Sequence, residues 1–282
     1  MVVLVTGANG QLGQSIQKIA STYTNIQFVF CNSQQLDITD LANCQTIFKQ
    51  YKPDYCINTA AYTAVDKAET ETAQAFEVNV TGSANLANVS KEFNTVLLHV
   101  STDFVFDGTK TKPYKETDKP NPTSVYGQTK LEGEQAIKNT WEKSYIVRTS
   151  WVFSEFGNNF LKTMIRLGSD RDEINVVNDQ TGIPTYAPDL AYALLRICEE
   201  DAKAATNLYG IYNFSNSESC TWFEFAQAIF NTNQIQCKVN PIPTSAYPTA
   251  AKRPSYSVLD TTKIQETFSL QIPSWKNHIK LI

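Results

Sequence analysis

The sequence predicts an α/β protein: a doubly wound parallel sheet with a smaller, irregular α+β C-terminal domain. Three observations predict it. Short β-branched runs alternate with longer helix-like stretches through the first half of the chain. Spaced glycines join the first strand to the first helix. After about residue 150 the rhythm breaks into turn-rich segments that carry 7 of the 11 prolines.

The elements follow in order. Candidate strands fall at 2–6, 26–31, 55–58, 96–101 and 145–149, with helical periodicity at roughly 12–25, 40–51, 66–93 and 126–140. The first strand is the apolar run Val2-Val3-Leu4-Val5. Pro53-Asp54 is a turn signal ahead of the buried strand Tyr55-Cys56-Ile57-Asn58. Beyond 150, turns such as Asn178-Asp179-Gln180-Thr181-Gly182-Ile183-Pro184 alternate with short helices. This divides the chain into a dinucleotide-binding domain over 1–150 and a mainly substrate-binding domain over 151–282, with the helix near 186–199 returning to the first.

Composition removes several function classes. A chain of 282 residues with 42% hydrophobic and 18% charged residues is ordinary globular material. Its net charge of −4 and dispersed Lys and Arg give no electrostatic footprint for nucleic acid. No apolar run approaches the ~18 residues of a membrane span, and no signal peptide is visible. The six cysteines lack Cys-x-x-Cys spacing and read as reduced packing thiols, so a cytoplasmic location is expected. Two histidines, His99 and His278, leave little material for a His-based metal site or a Ser-His-Asp hydrolase.

Thr6-Gly7-Ala8-Asn9-Gly10-Gln11-Leu12-Gly13 connects the first strand to the first helix. Gly7, Gly10 and Gly13 fall where the chain turns, where backbone approaches a pyrophosphate, and where helix packs on strand. The helix N-terminus then offers its free N–H groups to the phosphates. The second strand ends at Cys31-Asn32-Ser33, with neither the acid that would hold the 2′-hydroxyl of NAD nor the Arg that would favour NADP. The cofactor expectation is therefore NADPH or NADH. Asp37 is either a contact to the adenine side or a helix N-cap with Thr39 or Asp40. The small residues Thr59-Ala60-Ala61 after Asn58 let backbone run close to a cofactor.

Tyr126-Gly127-Gln128-Thr129-Lys130 opens a helix after Pro120-Asn121-Pro122. A Tyr and a Lys four apart share one helix face. A nearby ammonium is expected to lower the phenol from its usual value of about 10, making it a usable proton donor to a carbonyl under reduction. Upstream, Val100-Ser101-Thr102-Asp103-Phe104 ends a strand, so a hydroxyl there points at the same sheet edge. That hydroxyl either binds the substrate oxygen or caps the strand end. The ordered combination of glycine loop, strand-end hydroxyl and Tyr-x-x-x-Lys is more telling than any one part.

With these motifs the chain resembles the extended short-chain dehydrogenase/reductase family, whose members combine a Rossmann domain with a smaller C-terminal substrate domain. The likeness also rests on Asn58-Thr59-Ala60-Ala61-Tyr62-Thr63-Ala64-Val65-Asp66-Lys67-Ala68-Glu69, Ser101-Thr102-Asp103-Phe104-Val105-Phe106-Asp107-Gly108, Arg148-Thr149-Ser150-Trp151-Val152-Phe153 and Arg253-Pro254-Ser255-Tyr256-Ser257-Val258-Leu259-Asp260. The resemblance implies a catalytic triad at Thr102, Tyr126 and Lys130. It implies cofactor contacts at Gly10, Gln11, Leu12, Asp37, Ile38, Ala61, Tyr62 and Thr63, beside Gly7, Gly13, Ala60, Tyr126 and Lys130. Thr102, Asp103, Tyr126 and Trp151 would face the sugar, and Asn79 would organise the site or simply pack inside its helix. Arg253 would meet the substrate diphosphate or form an ordinary surface ion pair, and Trp151 would pack on sugar or base or belong to the core.

The implied reaction is hydride transfer from NAD(P)H to C4 of a dTDP-linked 4-keto-6-deoxy sugar, yielding dTDP-L-rhamnose, in a monomer or homodimer. Some relatives bind Mg²⁺ at a dimer interface through glutamates. This chain has Gln14-Ser15 and Pro188-Asp189 at the corresponding places, so no metal is expected. The rival readings are a nucleotide-sugar epimerase or another ketoreductase of this fold, and a non-catalytic NADP-binding regulatory subunit. Phe104, where a dehydratase would want Glu, speaks against a dehydratase. The intact Thr102, Tyr126 and Lys130 speak against a purely binding role.

Overall fold

The structure, a computed structural model, describes residues 1–280. The first half runs β1 (Val2–Thr6), α1 (Gln11–Ala20), β2 (Gln27–Phe30), α2 (Leu41–Tyr51) and β3 (Tyr55–Asn58). It continues with α3 (Val65–Ala68), α4 (Thr72–Phe76), α5 (Gly82–Phe93), β4 (Val96–Thr102), α6 (Val125–Thr140) and β5 (Ser144–Thr149). The second half begins β6 (Val152–Phe153), α7 (Phe160–Asp170), β7 (Glu173–Val177), β8 (Thr181–Gly182), β9 (Thr185–Tyr186) and α8 (Ala187–Asp201). It ends with β10 (Gly210–Asn213), β11 (Cys220–Thr221), α9 (Trp222–Asn233), β12 (Lys238–Ile242) and α10 (Thr262–Phe268).

Six strands form one parallel sheet in the order β10-β5-β4-β3-β1-β2. Chain order reverses at β1, which lies between β2 and β3, so the crevice beyond the carboxyl ends of β1 and β3 is the topological switch point. Strand alternation divides the side chains between the two faces. Val3, Val5, Ile57, Leu98 and Val147 share a core with Leu190, Leu194 and Ile197 of α8 and Ile264 and Phe268 of α10. Leu4, Cys56, Leu97 and Ile146 face the other way, onto Phe48 of α2, Leu86 of α5 and Ile137 of α6. A separate core in the second half gathers Phe153, Leu161, Met164, Phe225, Phe230 and Trp275.

Local chemistry sets the helix starts. Asp40 Oδ1 accepts from the Ala42 and Asn43 N–H groups at 2.9 and 3.1 Å to cap α2. Thr221 and Glu224 form a reciprocal capping box on α9.

The structure corrects the element readings in three places. The helix expected over 12–25 ends at Ala20. The stretch 66–93 is not one helix: it breaks between α3 and α4, and residues 77–81 take a π turn before α5. A sixth sheet strand, β10, pairs in parallel with β5, where sequence periodicity gave no strand. Four residues beginning with glycine are too short to show a period, and the β5 ladder is what makes them a strand. Helix α8 packs against α1, so residues 187–213 and α10 contribute to the sheet layers while 151–186 and 220–258 build the second core. All six cysteines are free and buried. Among the described residues no helix is long and apolar enough to cross a membrane.

Candidate active site

The glycine loop occupies the switch point. Gly7 has φ +63°, and a Cβ there would sit 2.7 Å from the Ala60 nitrogen. A Cβ on Gly13 would lie 2.5 Å from the Gly7 carbonyl oxygen, so α1 seats directly on the loop. Helix α1 starts after Gly10 with no side-chain cap and no acid in its first turn. Its leading N–H groups are thus left for an anion, and a cradle with no room for side chains fits a dinucleotide pyrophosphate.

The other sequence-predicted cofactor residues are placed as follows. Gln11 Oε1 accepts from Ser154 Oγ and Asn159 Nδ2 at 3.1 and 2.9 Å, tying the loop to the second half of the chain. Leu12 and Ile38 are buried, the latter with its side chain against Gly82. Asp37 Oδ1 accepts from the Thr39 N–H and hydroxyl at 2.9 and 2.7 Å, so it closes a turn while Asp40 caps the helix. Ala60, Ala61, Tyr62 and Thr63 follow β3 at the sheet edge. The Tyr62 N–H donates to Asn79 Oδ1 at 2.9 Å, and Asn79 Nδ2 donates to Thr129 Oγ1 at 3.1 Å. Asn79 lies in the π turn and pins the cofactor-side loop to α6, a placement common for such turns at functional sites.

Thr102 ends β4 and Tyr126 stands in the first turn of α6, whose N-cap Ser124 accepts from the Gly127 N–H at 3.2 Å. Thr102 Oγ1 donates to Asp103 Oδ1 at 3.1 Å and accepts from the Phe104 N–H at 3.2 Å, so it caps the following turn as well as lining the site. The Phe104 ring meets Tyr126 edge-on, centroids 5.5 Å apart. Lys130, 2% exposed, donates to the Val100 carbonyl at 2.7 Å and lies 3.2 Å from His99 Nε2.

The electrostatics correct one expectation. Burial pushes the Tyr126 phenol up to about 12, with Asp103 adding to the rise and hydrogen bonding from Thr102 opposing it. The expected lowering by Lys130 is not what governs the phenol, because the lysine is itself desolvated and turned to Val100 and His99. Burial pushes Lys130 down to about 8 against the pull of Glu134. A phenol at about 12 is protonated at neutral pH, the form in which it can give a proton. Asp103 is 2% exposed with Oδ2 lacking a partner. Burial lifts it to about 6, against hydrogen bonds from Ser257 and Thr102. An orphaned buried carboxylate oxygen beside the triad suits a ligand hydroxyl.

Arg253 forms a two-pronged ion pair with Asp66, its Nη1 and Nη2 at 3.0 and 2.7 Å from the two carboxylate oxygens. The ion-pair reading of Arg253 is thus the one the contacts match, and the pair joins the 253–260 motif to α3. Trp151 stacks on Trp222 with centroids 3.5 Å apart, and its φ of +46° is rare for a bulky residue.

Sequence reasoning missed the groups beneath the triad. Arg148 of β5 pairs with Glu134 of α6 through Nε and Nη2 at 2.9 and 2.6 Å, and Ser101 Oγ donates to the same carboxylate at 2.6 Å. His99 was visible as a polar residue in the apolar run Leu97-Leu98-His99-Val100, but its partner Lys130 lies 31 positions on.

A parallel sheet with a glycine loop at its switch point and Thr, Tyr and Lys at the same edge defines an NAD(P)-dependent enzyme of the extended short-chain dehydrogenase/reductase type. The chain belongs to the family described as RmlD substrate binding domain, whose model matches residues 1–282. It is 45% identical to the dTDP-4-dehydrorhamnose reductase of Aggregatibacter actinomycetemcomitans, across 99% of this chain and 97% of that protein. The crystal structure of dTDP-4-dehydrorhamnose reductase from Bacillus anthracis str. Ames in complex with NADP superposes with a TM-score of 0.93 at 40% identity, covering 99% of this chain and 96% of that one. UDP-glucose 4-epimerase from Brucella ovis, in complex with NAD, shares the fold at 19% identity and a TM-score of 0.84, covering 99% of this chain and 95% of that one.

Proposed function

We propose that this chain uses NADPH or NADH to reduce the C4 ketone of dTDP-4-dehydro-6-deoxy-L-mannose (dTDP-4-dehydrorhamnose), giving dTDP-L-rhamnose. One observation carries the reading. Thr102, Tyr126 and Lys130 stand at the carboxyl edge of a sheet whose glycine loop fits a dinucleotide, in a chain similar end to end to reductases of that name. The loop Gly7–Gly13 would hold the pyrophosphate, and Ala60 to Thr63 would flank the cofactor. When bound, the dihydronicotinamide supplies the hydride.

The remaining work falls to side chains. Tyr126 gives its phenolic proton to the forming C4 alkoxide, and Thr102 Oγ1 holds that oxygen in place. Lys130, the triad's lysine on α6, would anchor the nicotinamide ribose. Asp103 takes a sugar hydroxyl with its unpartnered Oδ2, and Trp151 offers an apolar face. Arg253 would reach the diphosphate from its place beside Asp66.

The test is NAD(P)H absorbance over a small panel of 4-keto-6-deoxy sugar nucleotides with both cofactors. A fall in absorbance on adding the dTDP-linked 4-keto sugar is expected. No cofactor consumption with any member of the panel would rule the reading out.

A further inference from the structure

Four polar side chains run in a buried row from β1 to α6: Thr6, Asn58, His99 and Lys130, each 2% exposed or less. Thr6 Oγ1 lies 2.6 Å from Asn58 Oδ1, Asn58 Nδ2 lies 3.0 Å from His99 Nδ1, and His99 Nε2 lies 3.2 Å from Lys130 Nζ. One backbone group fixes the direction of the row. The Ala60 N–H can only donate, and it meets Asn58 Oδ1 at 3.1 Å. That atom is therefore the amide oxygen, and the NH₂ faces His99.

His99 Nδ1 must then accept. Burial and the neighbouring Lys130 hold the imidazole well below its ordinary 6.5, so the ring is neutral and carries a single hydrogen. With Nδ1 accepting, that hydrogen is on Nε2 and points at Lys130. A lysine ammonium offers three donors and no acceptor, so it would meet Nε2–H donor to donor. The neutral amine has a lone pair that accepts it. The Val100 carbonyl, 2.7 Å away, takes one lysine hydrogen in either state.

We propose that His99 is a positioning residue acting through Lys130: it presents an N–H whose direction Ala60 and Asn58 set, and so draws the lysine toward its neutral amine in the unliganded protein. The other groups around Lys130 leave this balance in place. Glu134, one turn further along α6, favours the ammonium but is committed to Arg148 of β5. Tyr126, one turn back, is neutral, and Asp103 beyond β4 is raised to about 6 by its own burial. Burial works in the same direction, pushing the lysine down to about 8 from 10.5.

The inference rests on the proposed function only in taking Lys130 as part of the centre, and its test reads no turnover. In the unliganded full chain, ¹⁵N–¹H correlation reports the His99 tautomer. A pH titration of the Lys130 ¹³Cε signal, assigned with Lys130→Arg, reports the lysine. The expected results are an Nε2–H ring and a lysine midpoint near 8 that rises at least a unit, tenfold, in His99→Gln, whose amide oxygen can accept. An Nδ1–H ring, or a midpoint unchanged by His99→Gln, overturns the proposal. The tautomer measurement needs no variant, so it decides even if the glutamine protein does not fold.

Discussion

Two acidic side chains at the centre are both raised by burial. Tyr126 is held neutral, so removing its hydroxyl removes the proton donor and little else. Tyr126→Phe should lower kcat by roughly 10²–10⁴-fold, the usual worth of a general acid, with NADPH affinity nearly unchanged. Titration of cofactor fluorescence beside steady-state rates separates the two effects. Asp103 is shifted in the same direction: an acid raised from 3.8 to about 6 holds its proton more tightly in the folded chain. Its stabilising contribution is therefore complete below 3.8 and is lost as pH rises through about 6. Asp103→Asn, which cannot ionise, should gain urea stability over the native chain across that window and bind substrate more weakly. A stability difference that does not vary with pH would contradict this account of the carboxyl.

At the scale of elements, α6 is held to the sheet by a buried ion pair as well as by apolar contact. The Arg148 and Glu134 side chains are 1% and 2% exposed. Removing one partner strands the other charge, so Arg148→Met alone should cost about 3–5 kcal/mol in denaturant unfolding. Replacing both partners by apolar residues of similar volume should recover most of the loss.

The same elements show what could be read in advance. The glycine loop, α6 and strands β1 to β5 announce themselves because their signals are local: a turn residue, a proline ahead of a helix, a two- or 3.6-residue period. The Thr102, Tyr126 and Lys130 set was legible for the same reason, since strand end and helix start are both local features. The pairings His99–Lys130 and Arg148–Glu134 were not, because they join residues from different elements that only the sheet brings together. Strand β10 was invisible because its identity comes from its neighbour, and the break between α3 and α4 because helical periodicity continues across it.

At the scale of the molecule, polar ties join the two halves around the site. Gln11 reaches Ser154 and Asn159, Ser257 reaches Asp103, and Arg253 pairs with Asp66. The Asp66–Arg253 pair is partly exposed, 45% and 25%, so Asp66→Asn should change stability by no more than about 1 kcal/mol. Arg253→Ala should instead raise the KM for the sugar nucleotide while NADPH binding stays near normal. An unchanged KM would remove Arg253 from the substrate site.

All of these ties surround one claimed event, direct hydride delivery to C4 of the sugar, and isotope transfer reads that event without reference to any variant. With NADPH deuterated on the transferred position of C4 and the dTDP-linked 4-keto sugar in ordinary water, the account predicts one deuterium at C4 of the 6-deoxy sugar product, located by NMR. Deuterium at another carbon, or a product that carries none while cofactor is consumed, would contradict it.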